Sequence, residues 1–270
     1  PFTLDPRTVK KLTAAQLTVI EALEITAART AIKSLASLAT INELDHLGGA
    51  LDLTPALVQT LAFCNEREVS FTIENAHTSI GYYAVLAAYG FLDEKTVIER
   101  FRRGLDIAGH VSWVPGGTQL NGGRLGVMVP VAVGHALAKK AKYGDAAWMI
   151  THCGDAGWVS GQALNGFLIA AQHKAPMTFV MQRNGIQLSN ATHKVMNVDP
   201  RPVIAALGIA IIEIDSLHNR AQLFAAFVKG RALAARGIPN LIYPTGYRSS
   251  AKKKVTVETL GKMYGISAEV

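Results

Sequence analysis

Charge and sulfur are scarce in this sequence. Charged side chains make up 17% of its 270 residues and aromatics 7%, and there are only two cysteines. With hydrophobic residues at 49%, so little charge excludes a disordered chain and predicts a large core. Two thiols far apart, Cys64 and Cys153, offer no disulfide framework and suit a reducing compartment, so a cytoplasmic protein is expected. No apolar run is long enough for a membrane span. The longest nearly uncharged stretch, Leu125 to Ala138, is too short and holds Pro130 and His135. Residues 1–11 lack the apolar core of a signal peptide. Mean hydropathy is +0.21, which fits a large core, apolar surface covered by another subunit, or both.

The net charge is +7. Lys139, Lys140 and Lys142 form one basic cluster, and Arg248 with Lys252, Lys253 and Lys254 another. Neither is interleaved with aromatics or joined to a nucleic-acid motif, so both read as solvated surface. No nucleic acid and no membrane is expected as a partner. A weaker role is attraction of anionic ligands.

Hydrophobic spacing predicts a helix over 6–38, with Leu12, Ala15, Val19, Leu23 and Ala27 on one face. A second helix is expected over 54–63, capped by Thr54 with Pro55 at its first position. Residues 68–73 suit a strand and 78–90 a helix. A Gly-rich irregular stretch over 105–124 opens into a helix near Gly126. Then strands (147–153, 177–184, 209–215, 240–244) alternate with helices (162–173, 203–208, 219–235). Strands apolar along their whole length and separated by helices predict an α/β fold: a doubly wound, mostly parallel sheet with helices on both faces. The expected organisation is one domain over 1–245, then a basic tail or docking segment over 246–270 that turns helical around 257–264.

Ligands of such sheets bind beyond the carboxyl ends of the strands. Two of those ends carry Gly154-Asp155-Ala156-Gly157 and Arg183-Asn184-Gly185-Ile186. A carboxylate from Asp155, an amide oxygen from Asn184 and a backbone carbonyl form a hard-oxygen set suited to Mg²⁺, with phosphate oxygens and water completing the shell. Small residues around Asp155 let backbone N–H groups approach a diphosphate. A Gly-Asp pair alone is more often a turn or helix cap; the asparagine at the next strand end is what favours a site. No G-x-G-x-x-G and no P-loop motif is present.

These segments resemble the thiamine-diphosphate-binding half of the transketolase family. Gly154-Asp155-Ala156 followed by Asn184 is similar to that family's diphosphate motif. The resemblance implies thiamine diphosphate and Mg²⁺ as cofactors, with Asp155, Asn184 and the Ile186 carbonyl as metal ligands. HLGGALDLTPA (46–56), ENAHTS (74–79) and IAGHVSWVPGGTQLNGGRLG (107–126) are similar, in order and spacing, to the family's histidine-bearing segments. By resemblance, His46, His77 and His110 meet the substrate and His77 also reaches the cofactor phosphates. Gly123 and Leu125 contact the cofactor rings, Gly154 and Ala156 its diphosphate, and Leu188 forms a cofactor wall. The match covers roughly residues 10–245. The implied activity is transfer of a two-carbon ketol unit from a ketose to an aldehyde.

Several positions depart from the family pattern. Ala156 stands where the motif has glycine, and Ser160 and Asn165 replace two interface glutamates. The loop after the last strand, 243–254, holds no histidine. A pyrimidine-binding domain is absent from the 270 residues, so a pyrimidine-binding second subunit, the counterpart of the transketolase C-terminal half, is expected in an α₂β₂ assembly; a segment of a longer chain is the competing explanation. Two other functions stay open: the α-subunit of a thiamine-diphosphate-dependent 2-oxoacid dehydrogenase or decarboxylase, and a catalytically degenerate cofactor-binding protein. The remaining histidines, His135, His173, His193 and His218, read as structural, while His152 is divided evenly between structure and site.

Overall fold

The computed structural model describes residues 2–43, 45–120, 122–187 and 190–246. Helix α1 (Ala14–Ala39) begins later than its apolar spacing suggests, because Thr13 ends the extended lead-in. The Thr13 side chain accepts the N–H of Gln16, and the Gln16 side chain accepts that of Thr13, a reciprocal cap. Helix α2 (Leu47–Phe63) corrects the expected start at Thr54: it begins seven residues earlier, after His46, and carries Pro55 in its interior. Every residue from Ala50 to Phe63 is buried, and packing against α1 and the following helix overrides the break that proline favours. Thr54 does not cap; its hydroxyl donates to the Ala50 carbonyl at 2.9 Å.

Strand β1 (Val69–Ile73) leads through a short 3₁₀ turn into α3 (Ser79–Ala88) and then α4 (Glu94–Arg100), a helix that the periodicity did not reveal. After the irregular stretch come α5 (Met128–Tyr143), β2 (Trp148–Gly154), α6 (Gly161–Gln172) and β3 (Met177–Gln182). A small hairpin, β4 (Ile186–Gln187) with β5 (Asn190–Ala191), runs into the single-turn α7 (Thr192–Val195). The described part closes with α8 (Pro200–Ala206), β6 (Ala210–Ile214), α9 (Arg220–Ala235) and β7 (Asn240–Pro244).

The main sheet has five strands in the order β1-β2-β3-β7-β6, and all neighbours are parallel. Side chains alternate between two cores, as a strand's twofold repeat requires. Phe71, Trp148, Ile150, Val180 and Ile242 face the layer of α1, α2, α3 and α9. Met149, Cys153, Phe179, Met181 and Leu241 face α5 and α6. Burial on both faces is why the inner strands β2, β3 and β7 read as nearly continuous apolar runs. The doubly wound parallel sheet is as expected. No helix among the described residues is long and apolar enough to cross a membrane. Residues 247–270 lie outside the described part, and with them nearly all of the basic tail and the helix expected near 257–264.

Candidate active site

The carboxyl ends of β1, β2 and β3 open onto one cavity of about 640 Å³. Its walls include His46, His77, Leu125, Gly154, Asp155, Ala156, Asn184 and Ile186, so eight of the residues singled out in the sequence meet there. His46 ends the lead-in to α2, and His77 sits on the turn after β1. Their rings meet edge to face with centroids 4.9 Å apart. Burial, then the neighbouring His46 and His110, hold the His77 pKa below its ordinary value, which favours the neutral ring. His110 is exposed and is not part of the cavity wall, but its charge reaches His77. Its loop is tied down from α3: the Tyr83 hydroxyl donates to the His110 carbonyl at 3.0 Å and accepts the Ser112 N–H at 3.2 Å. Gly123 is exposed with open space around its α-carbon, and it does not line the cavity. Leu188 lies outside the described residues.

Asp155 follows the last residue of β2. Burial drives its pKa up to about 6, against weaker opposing hydrogen bonds, chiefly the Thr192 hydroxyl at 3.1 Å from Oδ2. A divalent cation would relieve that unfavourable burial. Asn184 Oδ1 accepts the Ile186 N–H at 2.9 Å and keeps a second lone pair. No group of three or more His, Cys, Asp or Glu side chains suited to a metal exists among the described residues. One carboxylate, one amide oxygen and one carbonyl therefore fit Mg²⁺ only where the ligand brings further oxygens, as a diphosphate does. Ala156 sits at φ −110°, ψ −38°, so a methyl group in place of glycine meets no backbone strain. Ser160 caps α6, accepting the Ala163 N–H at 3.1 Å. Asn165 is exposed.

His152 resolves as structural. It is fully buried in β2 with Nε2 3.1 Å from the Thr60 hydroxyl, and burial drives its pKa down to about 3.

Three side chains at the site were not anticipated. Glu74, just after β1, is 1% exposed. Its carboxylate accepts the N–H of Gly126 and, at 3.2 Å, that of Gly154. It thereby joins the loop bearing Leu125 to the loop bearing Asp155. Asn75 and Gln182, from the ends of β1 and β3, line the cavity. The available signal was a polar residue closing an apolar parallel strand.

The family model of the dehydrogenase E1 component matches residues 118–251. An apulose-4-phosphate transketolase subunit from Actinobacillus succinogenes is 31% identical over 137 residues, 50% of this chain and 49% of that protein. The alpha subunit of the pyruvate dehydrogenase E1 component from Staphylococcus aureus strain Mu50 is 35% identical over 126 residues, 46% of this chain and 34% of that protein. A Pichia stipitis transketolase structure superposes with a TM-score of 0.75 at 19% identity, over 93% of this chain and 41% of that one. A Campylobacter jejuni transketolase gives 0.69 at 17% identity, over 92% and 43%. The chain thus spans half or less of the length of these proteins. Over about half of its length the sequence is similar to these transketolase and E1 subunits, and the chain has the fold of the matching part of the transketolase structures.

Proposed function

We propose that this chain is the thiamine-diphosphate- and Mg²⁺-binding subunit of a transketolase-like enzyme. It transfers a two-carbon ketol unit from a ketose to an aldehyde, together with a pyrimidine-domain partner subunit. The observation that carries this reading is the one cavity that His46, His77, Asp155 and Asn184 line together. The Actinobacillus relative is named as one subunit of its transketolase, which supports a partner here.

Thiamine diphosphate supplies the carbon nucleophile of such reactions. This chain's part is to hold and to orient. Asp155, Asn184 and the Ile186 carbonyl would hold the metal, and the backbone N–H groups of the Gly154–Gly157 turn would hold the diphosphate. Neutral His77, with His46 beside it, takes a proton from a substrate hydroxyl or returns one. His110, exposed on its tethered loop and close enough for its charge to act on His77, donates to a substrate oxygen. Ser160 and Asn165 offer no carboxylate, so no acid-lined proton path runs through α6.

Titration calorimetry of thiamine diphosphate with Mg²⁺ tests the site. Asp155→Ala abolishes the Mg²⁺-dependent binding; unchanged binding would sink the assignment. The dehydrogenase E1 match favours a second reading, the α-subunit of a 2-oxoacid dehydrogenase. The complex with its partner, offered ketose phosphates and pyruvate in parallel, separates the two. Turnover of pyruvate alone overturns the first.

A further inference from the structure

Asn75 and Gln182 span the end of β2 from either side. Asn75 follows β1, Gln182 closes β3, and Gly154 of β2 pairs in register with Gln182. A side chain at Gly154 would place its Cβ 3.2 Å from the Asn75 Cβ. The amides meet there, with Asn75 Nδ2 donating to Gln182 Oε1 at 2.6 Å. They are 3% and 4% exposed, yet Asn75 Oδ1 and Gln182 Nε2 have no partner. Buried polar atoms without partners are rare, and each costs the fold free energy that a ligand can recover. Both side chains line the cavity, directly beside Asp155.

The geometry points to the Asn75–Gln182 amide pair as a subsite for a metal-bound diphosphate, with the Gln182 amide donating to a phosphate oxygen and Asn75 Oδ1 accepting from a water on the metal. The inference rests on the cofactor reading above. The free atoms are one donor and one acceptor. A phosphate oxygen accepts only, and Mg²⁺ keeps waters that donate, so a hydrated metal diphosphate satisfies both. A hydrocarbon or ring sulfur satisfies neither. Exchanging oxygen and nitrogen in both amides swaps the two roles and leaves one donor and one acceptor free.

Calorimetry on the full chain, with Mg²⁺ present, uses three probes: thiamine diphosphate, inorganic pyrophosphate and thiamine. Gln182→Met weakens both diphosphate ligands about 10- to 100-fold, the range of a hydrogen bond to a charged group. Thiamine behaves as with the wild type. Gln182→Glu keeps the side-chain shape but sets an anion against the phosphate, and weakens both ligands further. The double variant Asn75→Ala/Gln182→Met melts, without ligand, no lower than the wild type, because the partnerless atoms are gone. Full diphosphate affinity in folded Gln182→Met and Gln182→Glu overturns the subsite, as does a loss confined to the KM of the sugar donor. Wild-type protein that takes up neither diphosphate ligand overturns the cofactor reading itself, and the subsite with it.

Discussion

A buried carboxylate needs compensation for lost water, and Glu74 finds it in two backbone N–H groups instead of a cation. Burial raises its pKa, and those two hydrogen bonds pull the other way. The side chain acts as a strap between loops that are 28 residues apart at Gly126 and Gly154. Glu74→Ala leaves both N–H groups without their acceptor and is expected to cost about 1–3 kcal/mol in chemical denaturation. Affinity for thiamine diphosphate falls as well, because the Asp155 turn loses its brace. Glu74→Gln keeps one acceptor and lies between the two. A Glu74→Ala protein with wild-type stability and affinity would show that the strap is idle. Asp155 and Asn184 could be placed together because they follow the ends of neighbouring strands, whereas His46 and His77 were singled out by the resemblance of their segments to a known family, and all four line the cavity. Glu74, Asn75 and Gln182 were not legible in the sequence. Their roles arise where ends of different strands meet, and spacing along the chain does not encode that meeting.

Among the elements, the strands were read within a few residues because burial on both faces leaves an uninterrupted apolar run. Helix α2 was misread at Pro55, a residue that locally marks a helix start and here lies mid-helix in a fully buried segment. The seven-residue α4 and the two-residue strands β4 and β5 are too short for periodicity to register. Helix α3 does more than pack. Its tyrosines reach out to the irregular stretch, Tyr82 to the Ser112 carbonyl at 3.1 Å and Tyr83 to the loop of His110. Tyr83→Phe removes one donor and one acceptor and is expected to destabilise the protein by about 1–2 kcal/mol. With His110 loosened, the KM for the sugar donor of the proposed reaction is expected to rise while cofactor affinity holds. Steady-state kinetics beside calorimetry checks this split, and an unchanged KM would mean that the loop is held by other contacts.

For the molecule as a whole, the buried His152 ties stability to pH. Its folded pKa, near 3, lies below the ordinary 6.5. The unfolded chain therefore binds a proton that the folded one refuses. The histidine's contribution is complete above pH 6.5 and is lost as pH falls from there toward 3, by up to about 1.4 kcal/mol per pH unit. His152→Gln lacks this dependence. The unfolding free energies of the two proteins from urea titrations should draw together by roughly 2 kcal/mol between pH 7 and pH 5; a constant difference would show that His152 is already solvated in the fold.

Glu74 also bears on how this site can change over time. A Cβ at Gly157 would lie 2.1 Å from the Glu74 Oε1, and one at Gly126 would lie 1.7 Å from the Ser160 Oγ. A side chain at position 157 would displace the Glu74 carboxylate from the N–H groups of Gly126 and Gly154. A larger residue at 157 is therefore accommodated with less loss once position 74 is shorter, and in the reverse order the strap is lost while the carboxylate is still buried. Two residues 83 positions apart are thus coupled, so that the effect of a substitution at one depends on what stands at the other.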